Sequence, residues 1–233
     1  MKRVLLKLSG EALAGSNYDH KGFDEATVTA VAKQVKKVMD EGCEVGIVIG
    51  GGNFWRGRSS KNIDRVRADQ IGMMATIMNC FYVSEIFRSV GIDTEVMTPF
   101  QVGAFTELFS KDKAMRALKA GKAVFFAGGT GHPYFSTDTA TVLMAIEIEA
   151  EMILLAKSID GVYDDDPKDN PNAKKFSEIS IEEVVAKGLK VVDGAAAILA
   201  MENKMPMLVF GLNEEQSIER AARGDIDGTV VTV

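Results

Sequence analysis

Lys7 stands inside an otherwise apolar run, Val4–Leu8, directly ahead of Ser9 and Gly10. An ammonium in such a run is costly unless it faces an anion, so the position suits a cation reaching phosphate oxygens. The plainer alternative is an edge-strand lysine pointing to water. Further along, Gly50, Gly51 and Gly52 form a triple glycine, and Arg56 follows four residues past Gly52. Its planar guanidinium can grip a phosphate, although a lone loop arginine is often merely solvated. A third segment, GGTGHPYFSTD at positions 128–138, ends at Asp138. This aspartate either caps the helical run that follows or sits in a crevice, holding Lys7 and Mg²⁺. Cations, glycine backbone and one carboxylate suit phosphoryl transfer, which needs positioning and cancellation of spreading negative charge more than covalent chemistry.

Other chemistries are excluded by inspection. There is no G-x-x-x-x-G-K-[ST] loop and no H-R-D or D-F-G set, which removes Walker-type NTPases and protein kinases. Gly50 and Gly52 begin a G-x-G-x-x-G pattern, but Trp55 takes the third glycine's place, so dinucleotide oxidoreduction loses its main support. With only His20 and His132 present, neither a histidine metal site nor a Ser/His triad can be assembled. The Asp164-Asp165-Asp166 run lacks the alternating order of a calcium loop. Cys43 and Cys80 are far apart and not in C-x-x-C spacing, which reads as reduced, buried thiols.

The elements that must position these groups alternate between β and α. Strands are expected at Val4–Leu8, Val45–Ile49, Thr94–Met97, Ala123–Ala127, Met152–Ala156, Met207–Phe210 and Thr229–Val233. Four of them run straight into glycine-containing loops, as LLKLSG, VIGGGN, FFAGGTG and LLAKSIDG. In an open α/β sheet such loops converge beyond the carboxyl ends of the strands, where ligands bind. Backbone N–H groups freed by glycine, together with helix N-termini, then make an anion cradle. Between the first two strands Asp24 is the expected N-cap of a helix whose Val28, Val31, Ala32, Val35, Val38 and Met39 share one face and which ends at Gly42. A longer helix, Asp64–Ser89, carries Ile71, Met74, Ile77, Met78 and Phe81 on one stripe, read as core packing. Near its start Asp69 is either a first-turn aspartate favoured by the helix dipole or an acceptor for ribose hydroxyls. The stretch Asp160–Lys175 reads as a long exposed loop.

These patterns specify an α/β fold: a single domain over 1–233 with a mainly parallel central sheet flanked by helices. Apolar residues at 46% and charged residues at 26% suit a globular chain, and a net charge of −6 argues against nucleic acid as a partner. The N-terminus reads as a first strand rather than a signal peptide, because Lys7 interrupts its apolar run. No apolar segment reaches membrane length, so a cytoplasmic location is expected.

Taken in order, KLSGEAL, VIGGGNFWRG, RADQIGMMATIMN, GGTGHPYFSTDTA, IEIEAE, DGVYDDDP and LKVVD resemble the amino-acid kinase family, in its bacterial UMP kinase branch. The resemblance covers nearly the whole chain and implies the sandwich fold of that family. It also implies transfer of the ATP γ-phosphoryl group to UMP, with Mg²⁺ held mainly by the nucleotide's phosphates. By the same resemblance Lys7, Leu8, Ser9, Gly10, Gly52 and Arg56 face the ATP phosphates, with Tyr163 and Asp166 near adenine and its ribose. UMP is placed against Gly51, Asp69 and the loop of Thr130, Gly131, His132, Pro133, Tyr134, Phe135, Ser136 and Thr137. Lys7, Arg56 and Asp138 form the catalytic centre, with Asp193 nearby. A homohexamer is implied, with GTP and UTP as effectors; the Gly15–Gly22 loop and Arg88 are candidate effector contacts by position. His132 stands where many relatives carry Asn, and Lys157-Ser158 occupy a stretch where Thr or Asn often touches ATP. Two alternatives stay open: phosphorylation of a small acid, for which GGTGHPYFSTD offers no Lys or Arg, and a nucleotide-binding storage protein of the same fold.

Overall fold

A computed structural model describes residues 1–14, 22–55 and 62–233. Arg56 and most of the Gly15–Gly22 loop therefore lie outside the described residues. The central sheet is nine-stranded, and its middle is β1 (Arg3–Leu8), β2 (Glu44–Ile49) and β6 (Met152–Lys157). Beyond β2 come β5 (Ala123–Phe126), β3 (Thr94–Thr98) and the short β4 (Glu107–Leu108). Beyond β6 come β10 (Met207–Gly211), β11 (Thr229–Thr232) and β9 (Glu178–Ser180). Every neighbouring pair in this sheet is parallel except β10 with β11.

Parallel strands buried on both faces carry near-continuous apolar runs, and RVLLKL, EVGIVI and MILLAK fit that rule. Alternate residues then feed two separate cores. Val4, Leu6, Leu8, Ile47 and Ile49 pack toward α2 (Glu25–Asp40), α3 (Arg65–Ser89) and α8 (Ser217–Arg223). Leu5, Val48, Ile153 and Leu155 pack toward α4 (Lys111–Lys119), α5 (Thr137–Glu147), α6 (Ile181–Ala186) and α7 (Gly194–Glu202). A helix layer on each sheet face makes a three-layer sandwich.

Asp24 caps α2 as expected, accepting from the Ala26 amide and from the Thr27 hydroxyl at 2.6 Å. Both cysteines are buried free thiols, and burial pushes Cys43 up to about 11 and Cys80 up to about 12. Two expectations need correction. The stretch Asp160–Lys175 is not all loop: β7 (Val162–Tyr163) and β8 (Lys175–Phe176) close it as an antiparallel ribbon. The stripe on α3 is not core either, since Ile71, Met74 and Met78 are exposed and only Ile77 is buried. Where the Gly51 loop presses against α3, its inward side carries small and polar residues, among them Ala75, Thr76, Asn79 and Cys80, because that close approach leaves no room there for long side chains. Among the described residues no helix is long and apolar enough to cross a membrane.

Candidate active site

β1 is the strand where the order of the sheet reverses, with β2 on one side and β6 on the other. The crevice beyond its carboxyl end is the expected ligand position in an open sheet. Lys7 sits at that end, on the same face as Leu5, and so projects toward α5. Its Nζ lies 3.1 Å from Asp138 Oδ1, the two side chains being 13% and 25% exposed. The N-cap of α5 is Ser136, whose hydroxyl accepts from the Asp138 amide at 3.0 Å. Asp138 lies within the first helical turn, and its carboxylate is committed to Lys7 rather than to capping.

The glycine loops are held by close packing and buried polar groups. A Cβ on Gly51 would come within 3.0 Å of Ala75 Cβ and of the Gly72 carbonyl, so glycine at 51 and small residues on α3 are required together. One on Gly10 would run into Asn53 and come within 2.6 Å of the Gly50 carbonyl. Asn79 donates to the Gly50 carbonyl at 2.7 Å and exchanges hydrogen bonds with Asn53, while the Thr76 hydroxyl accepts the Gly128 N–H at 2.9 Å. Two inward positions of α3 about one turn apart, Thr76 and Asn79, thereby fix the loops following β2 and β5. Ser9 caps the short α1 (Gly10–Leu13) through the Ala12 amide.

Between these elements lies a cleft of about 810 Å³, within the range of small-molecule sites. Of the residues expected from sequence, Lys7, Gly51, Asp69, Thr130, His132, Phe135, Ser136, Thr137, Asp138 and Asp193 all line it. Asp69 does more than face the cleft: its Oδ2 accepts from Arg65 Nε at 2.8 Å and from the Tyr134 amide at 2.7 Å. Tyr134 has a positive φ of 73°, a strained conformation for a non-glycine residue that this clasp helps to hold. Arg65 also lies over the Tyr134 ring at 5.1 Å, bringing to the cleft a cation that the loop itself lacks. Asp193 caps α7 through the Ala196 amide at 2.9 Å and also accepts from the Ser136 and Thr139 hydroxyls. It thus ties together the N-termini of α5 and α7, both of which favour negative charge nearby.

Tyr163 and Asp166 are not in this cleft. They line a second cavity of about 420 Å³ that shares a wall, Lys157 and residues 188–191, with the first. Gly131, Pro133 and Tyr134 belong to the 130–137 loop without lining the cleft, and Leu8, Ser9, Gly10 and Gly52 do not line it either. Leu8 is fully buried, backbone included, so it supports the loop from beneath. Sequence reading did not single out Arg65; Thr76, Asn79 and residues 189–192 entered only within the motifs RADQIGMMATIMN and LKVVD, without a role of their own, and Lys157 was given none. The signal for Lys157 was present, because LLAK repeats the pattern of a lysine ending an apolar strand that singled out Lys7. Among the described residues no group of three or more His, Cys, Asp or Glu side chains is arranged to hold a metal ion.

Residues 2–211 match the model of the amino acid kinase family. The chain belongs to the amino acid kinase family. Within it, the solved structure of UMP kinase from Bacillus anthracis is similar to this chain at 37% identity and a TM-score of 0.94, covering 99% of this chain and 96% of that one. UMP kinase from Ureaplasma parvum is similar at 33% identity and a TM-score of 0.93, covering 100% and 99%. The overlap extends over nearly the full length of each chain.

Proposed function

We propose that this chain transfers the γ-phosphoryl group of ATP to UMP, giving ADP and UDP. The carrying observation is the Lys7–Asp138 pair at the end of the central strand, inside a cleft whose other walls are Asp69 and the 130–137 loop. Similarity over full length to two UMP kinases supports this choice of acceptor. UMP occupies the larger cleft, with its ribose near Asp69 and its phosphate toward Lys7. The adenosine of ATP lies in the smaller cavity by Tyr163 and Asp166.

In this arrangement Lys7 neutralises charge developing on the transferring group, and Asp138 holds the ammonium in place. The N-termini of α5 and α7, joined through Asp193, add partial positive charge at the same point. Arg56 is proposed as a further phosphate contact. Mg²⁺, held mainly by the nucleotide's own phosphates, would supply positive charge to offset the charge developing in transfer. Asp138, which lines the cleft at the end of β1, is the carboxylate that would face such a cation.

A homohexamer responsive to GTP and UTP is proposed from the family resemblance. The exposed apolar residues Ile71, Met74 and Met78 on α3, with Phe105 and Leu108, supply surface for contacts between copies. Light scattering reads that assembly directly. The function is tested by following ADP formation with Mg²⁺-ATP while UMP, CMP, AMP, N-acetylglutamate or carbamate is offered in turn. UMP should give the highest kcat/KM. ADP formation indifferent to every acceptor would overturn the proposal.

A further inference from the structure

Arg65 is the first residue of α3, a place that helix physics disfavours for it. A cation in the first turn opposes the helix dipole, and a basic residue four positions ahead of an acidic one is the weaker order for a helical ion pair. The first turn of α3 holds no acidic residue to offset it, and the side chain of the N-cap, Asp64, is committed to the Arg67 amide. Helix stability therefore does not account for arginine at 65. Its contacts lie at the cleft instead: Nε donates to Asp69 Oδ2 at 2.8 Å, and the guanidinium lies 5.1 Å from the centre of the Tyr134 ring. Arg65 and Asp69 both line the larger cleft.

The same oxygen, Asp69 Oδ2, also accepts from the Tyr134 amide. Two donors on one oxygen fix the rotation of the carboxylate, and among the described residues no hydrogen bond reaches Oδ1. The Asp69 side chain is 14% exposed against 39% for Arg65, so the carboxylate is shielded while the arginine that holds it is half open to water. A shielded carboxylate calls for partners on its remaining lone pairs, and a sugar hydroxyl on Oδ1 would be one. We propose that Arg65 is a positioning residue for the acceptor. It acts through Asp69 without touching the nucleotide: by occupying Oδ2 it turns Oδ1 toward the ribose. Its contact with the ring of Tyr134 supports the positive φ that brings the Tyr134 amide onto the same oxygen. The inference rests on the reading of UMP as acceptor with its ribose at Asp69.

The test is steady-state kinetics with UMP and 2′-deoxy-UMP on wild type, Arg65→Gln, Asp69→Ala and the double variant. Because Asp69 and the Tyr134 amide remain, Arg65→Gln should raise the UMP KM about three- to fivefold, less than Asp69→Ala does. The kcat at saturating UMP and the ATP KM should stay within about twofold of wild type, and the preference for UMP over 2′-deoxy-UMP should narrow. In the Asp69→Ala background the same substitution should change the UMP KM by less than about 1.5-fold, since the group it acts through is gone. A rise by the same factor in both backgrounds would mean that Arg65 meets the ligand itself or merely braces the helix, and the proposal falls. It falls too if the UMP and ATP KM values rise together, or if folded Arg65→Gln keeps the wild-type UMP KM. Should Arg65→Gln not fold, the comparison between backgrounds is made with Arg65→Lys and decides in the same way. A wild type that phosphorylates no UMP would overturn the acceptor assignment and this inference with it. A wild type that phosphorylates UMP, with no effect of Arg65, would overturn this inference alone.

Discussion

Dismantling the Lys7–Asp138 pair one partner at a time separates its structural role from its chemical one. At 3.1 Å and an effective dielectric of about 20, the Coulomb attraction is about 5 kcal/mol. Both side chains are largely withdrawn from water, so desolvation offsets much of that, and a net coupling of about 1–3 kcal/mol is expected. Lys7→Met leaves a half-buried carboxylate short of its partner. Asp138→Asn leaves Lys7 facing Lys157 without the charge between them. Each should lower unfolding stability in urea, and the double variant should be less destabilised than the sum of the singles by about that coupling. Activity should follow different arithmetic. Each single substitution should cost roughly 10²–10³ in kcat at saturating ATP and UMP, and the double little more, because the two side chains act as one unit. Asparagine preserves size, and the α5 cap is Ser136, so helix loss does not explain a fall in Asp138→Asn. Additive stability losses with no coupling would show that the pair does not exist in solution. Wild-type kcat in folded Lys7→Met would remove Lys7 from the mechanism.

Two further outcomes follow from the site. Asp69→Ala should raise the UMP KM about tenfold with little change for ATP, and should erase the preference of wild type for UMP over 2′-deoxy-UMP. Equal discrimination in both proteins would mean that the carboxylate only clasps Tyr134 and Arg65. The ammonium of Lys157 has a folded value of about 8 against 10.5 for the free side chain, so between these values the unfolded chain binds the extra proton. Stability should therefore rise with pH from about 8 to 10.5, by up to about 3 kcal/mol, with the full cost of the buried charge present below pH 8. Lys157→Gln should abolish that rise and melt higher than wild type at pH 7; the same melting profile against pH in both proteins would refute the buried-cation account.

The sequence alone determined the parallel sheet, the order of its central strands' loops and the residues carrying charge into them. Those features are local: an apolar run buried on both faces, a glycine at a strand end and a lysine inside such a run each have a physical cost that can be read without knowing the neighbours. Lys7, the glycine loops and Asp138 were legible for that reason, whereas the assignment of Asp69 and Thr130 to Thr137 to a ligand came only with the family resemblance. What tertiary structure decided was every question of which partner a group chooses. Asp138 could have been a cap until Ser136 was seen to hold that place, and Asp69 could have faced only a ligand until it was seen to grip Tyr134. The apolar stripe of α3 was assigned to the core because periodicity gives a face but not its direction, and the close approach of Gly51 turned the small and polar side inward. Lys157 came to lie in the wall between two cavities only because packing brings together segments more than a hundred residues apart in the chain, from Lys7 to Val191. Adjacency of that kind is a property of packed layers, and no spacing along one strand contains it.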